Sequence, residues 1–133
     1  MTASVGESLE QIAEHHGDIG AQCFEKFYQA SGEARQLMSH MDDVHKSKMM
    51  NEIYRLLMVE DLREDEAYIA WESKTHQSVF YVPDPSMFEV LMLAVRDTAQ
   101  EVLGAEWNEE LEAAWTQQCT SIADAFMQHY DAA

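Results

Sequence analysis

Residues 71–88, WESKTHQSVFYVPDPSMF, decide how this chain is read. A helix-patterned run carrying a single histidine, His76, ends in an apolar hinge from Val79 to Val82. Pro83 and Pro85 then interrupt the backbone, because neither can donate a hydrogen bond and each restricts the residue before it. From Ser86 a new amphipathic helix begins. Phe88, Leu91, Val95, Thr98 and Val102 recur along it at helical spacing, and Gly104 is its natural C-terminal stop.

Working outward, a second histidine lies thirty-one residues upstream, in HKSKMM at 45–50. Asp42 or Asp43 caps this helix, whose inner face carries His45, Met49, Ile53 and Leu56. Residues 60–66, EDLREDE, read as an acidic loop or a frayed helix end, followed by a helix from about Ala67 to His76. Toward the N-terminus, Ser8 is placed to cap a first helix with Gln11 as its reciprocal partner. Ile12, His16, Ile19, Cys23, Phe27 and Ala30 mark one face there, and Gly17 and Gly20 are points where the helix divides. After Ser31-Gly32 the segment EARQLMSHMDD reads as irregular or as a single turn. Asn108 caps a last helix that buries Leu111, Trp115, Cys119, Ile122 and Phe126. These elements predict one all-α domain over 1–133, with a short first helix and no strand.

Composition narrows the function. A formal charge of −17 on 133 residues argues against nucleic acid and anionic membrane, which require basic surface. The first residues, MTASVGESLEQ, lack the basic start and apolar core of a secretory signal, and no apolar run is long enough to span a membrane. Cys23 and Cys119 stand in no CxxC or CxxCH pattern and read as reduced core thiols of a cytoplasmic protein. No Gly-rich phosphate loop, paired zinc spacing or nucleophile–base pattern is present. What remains is a histidine from each of two helices, on faces able to enclose a flat apolar ligand. Neutral imidazole is a common iron ligand, and haem requires an axial donor from the protein, so a haem pocket is the chemistry this pattern suggests.

Four stretches together resemble bacterial single-domain globins of the three-over-three type. FEKFYQASGEARQLM (24–38) resembles the end of the second helix and the turn that grips the haem edge. HKSKMM resembles the distal histidine, a lysine three residues on, and the apolar residue beneath the ligand. THQSVFYVPDPSMF (75–88) resembles the proximal histidine, the corner after it and the next helix. EVLGAEWNEELEAAW (101–115) resembles the passage into the last helix, with Trp115 in its customary place.

The resemblance implies a globin fold whose helices sandwich haem b. It implies His76 as proximal ligand to iron, His45 as distal histidine and Met49 as its apolar neighbour. Phe24 and Met38 would line the pocket, while Val82, Phe88 and Leu91 would pack against the proximal side and edge. Lys46 or Lys48 would reach a propionate, with Lys48 the better placed by the family pattern. Met38 stands where the family usually has Phe, and Glu72 where it more often has Leu. His40 is a reserve for the distal position.

Two roles stay open for His45: donating a hydrogen bond to bound dioxygen, or binding the iron itself in a six-coordinate resting state. The implied function is reversible binding of a diatomic gas, O2, CO or NO. Nitric oxide or peroxide chemistry would be a side activity fed by an external reductase, and both monomer and homodimer are open. The alternative is a haem-free, globin-shaped sensor or interaction module working through its acidic surface.

Overall fold

A computed structural model describes residues 5–39, 41–59, 62–78 and 86–128, without the side chains of Leu37, Thr75, His76, Gln77, Ser78 and Ser86. The described residues form helices α1 (Val5–His16), α2 (Gly20–Ala30), α3 (Gly32–Leu37), α4 (Asp43–Met58), α5 (Glu66–Ser78), α6 (Ser86–Leu103) and α7 (Glu109–Gln128). Short 3₁₀ turns at Leu62–Asp65 and Gly104–Glu106 join them, and no strand occurs among the described residues. The fold is all-α. The proline corner at 83–85 lies outside the described residues.

The boundaries follow from local chemistry. Asp42 is extended at the start of α4, and its side chain accepts from the N–H of His45, satisfying one of the helix's unpaired donors. Asn108 does the same for α7, taking the N–H of Leu111 at 2.8 Å. Gly17 ends α1 with φ +72°, a left-handed geometry that side chains with a Cβ avoid. At Gly20 the absence of a side chain serves packing: a Cβ there would meet Met50 Cγ at 3.4 Å, so α2 and α4 approach closely.

Buried side chains from all seven helices form one cluster. Helix α6 lies against both α2 and α7, the two most extensive helix contacts in the fold. Small residues make this possible, since Ala94, Thr98 and Ala99 are buried on α6. Thr98 turns its hydroxyl back to the Ala94 carbonyl at 2.8 Å, so no polar group is stranded. The α7 stripe is buried as its spacing predicts, at Leu111, Trp115, Cys119, Ile122 and Phe126.

Three expectations need correction. Ser8 is not a cap; α1 begins at Val5, and Ser8 is buried within it. Its hydroxyl donates to the Val5 carbonyl at 2.7 Å and accepts from Trp115 Nε1 at 2.9 Å, pinning α1 to α7. His16 and Ala30 are exposed, not members of the inner face, because the break at Gly17 resets the helical register between α1 and α2. Residues 32–37 form the helix α3, which buries Ala34 and brings Met38, at its C-cap, into the core.

Trp115 is fully buried and its indole N–H is spent on Ser8. Trp115→Ala is expected to cost about 3–5 kcal/mol of unfolding free energy. Ser8→Ala, which strands that N–H in the core, is expected to cost about 1–3 kcal/mol. Urea unfolding of the two variants checks both, and unchanged midpoints would mean the α1–α7 contact carries no stability.

Candidate functional site

A single face of α4 defines the site. His45, Lys48, Met49, Glu52, Ile53 and Leu56 recur at three- and four-residue steps and border one partly open cavity of about 540 Å³. That volume lies within the range of small-molecule and cofactor pockets. Helix α5 contributes Tyr68, Trp71 and Glu72 to the facing wall; α6 contributes Phe88, Leu91 and Met92; α7 contributes Ile122 and Phe126. Met41 closes the rim ahead of α4. Phe88 and Phe126 stack with ring centroids 4.7 Å apart and give the interior an aromatic surface.

The two walls are held by α7. Gln118 Nε2 donates to the Leu56 and Val59 carbonyls at 3.0 and 3.3 Å, tying down the end of α4. Ser73, fully buried on α5, donates to the Phe126 carbonyl at 3.0 Å. Eight residues separate the two anchors, about 12 Å along a helix, so the walls are fastened at different heights. Where α4 meets α5, Arg55 closes the gap. Its guanidinium contacts Asp65 at 2.8 Å and Glu52 at 3.0 Å and lies 4.9 Å from the centre of the Tyr68 ring. Asp65 and then Glu52 hold the Arg55 guanidinium above its ordinary pKa. Burial, with the hydrogen bond its hydroxyl donates to Glu52, pushes the Tyr68 phenol up as well, so it stays protonated.

At the rim, His45 is largely exposed, and its Nδ1 lies 2.7 Å from Asp42 Oδ1. The His45 backbone N–H, and then its ring, hold the Asp42 carboxyl below the usual carboxylate range. Lys48 is also exposed and borders the cavity, whereas Lys46 turns away and lies 5.9 Å from the centre of the Phe24 ring.

The structure therefore gathers His45, Lys48, Met49, Phe88 and Leu91 around one cavity. Phe24 and Met38 are not among its described lining residues. Phe24 is buried in the core, 6.3 Å from the Tyr28 ring centre, and Met38 is turned inward at the end of α3. Val82 lies outside the described residues, as does His40. His76 belongs to the last turn of α5, but its side chain is outside the description. Position 76 nevertheless follows Tyr68 and Glu72, both cavity residues, at the four-residue helical repeat.

Sequence reasoning missed Tyr68, Trp71 and Glu52 as lining residues. Counting back in fours from position 76 would have found Tyr68, and counting on from 45 and 48 would have found Glu52. Trp71 is 63% exposed although it borders the cavity, and nothing in its sequence setting signals that.

The lining is hydrocarbon and aromatic within, and it also carries an imidazole (His45), a lysine (Lys48) and two carboxylates (Glu52 and Glu72). Both free thiols are buried in the core, and neither borders the cavity. Among the described residues no His/Cys/Asp/Glu cluster could hold a bare metal ion, and no helix is long and apolar enough to cross a membrane. Set against known protein families and curated proteins, the chain matches none.

Two outcomes follow from this geometry. Ser73→Ala strands the Phe126 carbonyl and is expected to cost about 1–3 kcal/mol, loosening α5 first. Hydrogen exchange should speed up in α5 more than in α6; a uniform increase would contradict the anchor. The second outcome concerns pH. Burial pushes the Cys23 and Cys119 thiols up from 9.0 to about 12. As pH rises, the unfolded chain loses these protons first, so their contribution is complete below pH 9 and is lost between pH 9 and 12. A Cys23→Ala/Cys119→Ala double variant should lose stability less steeply across that interval, and parallel profiles would acquit the thiols.

Proposed function

We propose that this chain is a globin-like protein that holds haem b non-covalently in the α4–α7 cavity and reversibly binds a diatomic gas, O2, CO or NO. One observation carries the reading. The α4 stripe that includes His45 and Lys48 borders an apolar cavity, and across it α5 runs through Tyr68 and Glu72 toward position 76. When bound, haem would supply the iron chemistry that takes up the gas, with His76 and His45 as the imidazoles that would hold it.

The chain's own residues have definite tasks on this reading. His76 is the proximal donor. His45 acts from the opposite wall, where Asp42 holds its ring. Lys48 offers a cation to the propionate edge. Met49, Ile53, Leu91 and Phe126 keep water from the interior, and the Arg55–Asp65–Tyr68 contacts close the end where the walls meet. A redox cycle would draw on an external electron donor.

A second reading is favoured by Glu52 and Glu72, two carboxylates on the lining of a chain with net charge −17. Acidic walls oppose an anionic cofactor edge, as in a haem-free sensor or interaction module. Titration with haemin separates the two: a Soret band that saturates near one equivalent supports the first, and its absence leaves the second. His76→Ala should weaken haem retention by roughly tenfold or more, as loss of a metal-supporting group commonly does. An unchanged Soret and visible spectrum in that variant would exclude His76 as the proximal ligand.

A further inference from the structure

Asp42 uses one oxygen twice. Its Oδ1 accepts from the His45 backbone N–H at 2.9 Å, capping α4, and lies 2.7 Å from His45 Nδ1. A carboxylate has no proton to give, so in a neutral imidazole the shared hydrogen must sit on Nδ1. That leaves Nε2 unprotonated. His45 is one of the residues that border the cavity.

The two roles open to an imidazole at this rim demand opposite tautomers. Donating a hydrogen bond to a gas requires Nε2–H; ligating iron requires an Nε2 lone pair. Resting on the haem reading above, we propose that Asp42 is a positioning residue that fixes neutral His45 as the Nδ1–H tautomer. His45 then offers the cavity a lone pair, as an iron ligand, and not a hydrogen bond. A carboxylate behind a metal-binding histidine fixes tautomer and ring orientation in just this sense. The cap contributes too: because Asp42 is held by the His45 backbone, its carboxylate stays in reach of the ring without ordering a second segment.

The tautomer is read directly from the ¹⁵N shifts of His45 in the full chain without haem, at about pH 8.5, where imidazole is neutral. His45→Gln identifies the signals by their loss. The expected pattern is a protonated Nδ1 and an unprotonated Nε2. Asp42→Ser keeps an N-cap oxygen but removes the carboxylate from the ring. It should shift both nitrogens toward a tautomer mixture while the circular dichroism stays constant. A predominant Nε2–H form in the native chain, or identical shifts in Asp42→Ser, overturns the proposal. After haem loading, the native chain should be low-spin without gas, and Asp42→Ser should lose part of that low-spin fraction. An equal low-spin fraction in both chains also overturns it. Absence of any Soret band in the native chain sinks the haem reading instead, and the haem-free tautomer alone then decides whether Asp42 sets His45.

Discussion

The contact of α6 with both α2 and α7 is what the other helices rest on. It is built from side chains small enough to let backbones close together, Ala94, Thr98 and Ala99, with Val95 filling the seam. Dispersion and apolar burial act best at such short range, where each atom has partners on every side. Around this layer, α1 is attached through the Ser8–Trp115 hydrogen bond, α4 through Gln118, and α5 through Ser73. Each attachment satisfies a polar group that would otherwise be costly inside the protein.

The cavity is a consequence of those attachments. Helix α4 packs on α1, α2 and α7, and α5 packs on α7, so each wall is supported from behind. Arg55 brings their near ends together. Beyond that point both helices turn apolar side chains toward the same space. An apolar cavity surface of this kind is a common place for a ligand. Its charges are mixed: Lys48 and Glu72 are both lining residues, and Glu52 is engaged by Arg55.

Much of this was legible in the residues. The stripe Leu111, Trp115, Cys119, Ile122 and Phe126 was readable because a helical repeat of buried positions repeats in sequence, and Asn108 was readable because capping is local. So was the α4 face that includes His45, Met49, Ile53 and Leu56. Ser8 was misread because its true partner, Trp115, is 107 residues away, and a capping pattern cannot reveal a distant indole. Phe24 and Met38 were misassigned to the pocket for a related reason. Their burial is a property of helix type and is visible in sequence, whereas the direction of burial depends on how α2 and α3 are turned against α6 and α4.

The amino-acid sequence by itself determined the all-α class, the helix stop at Gly104, the cap at Asn108 and the buried stripe of α7, and it narrowed the α4 cap to Asp42 or Asp43. These depend on backbone preference and on periodicity within one helix, so neighbouring residues suffice to specify them. Tertiary structure alone decided that α4 and α5 border a common cavity, that Trp71 joins its lining, and that Phe24 and Met38 do not. Those outcomes depend on the relative orientation of helices, which is set by packing volumes and by hydrogen bonds between residues far apart in the chain.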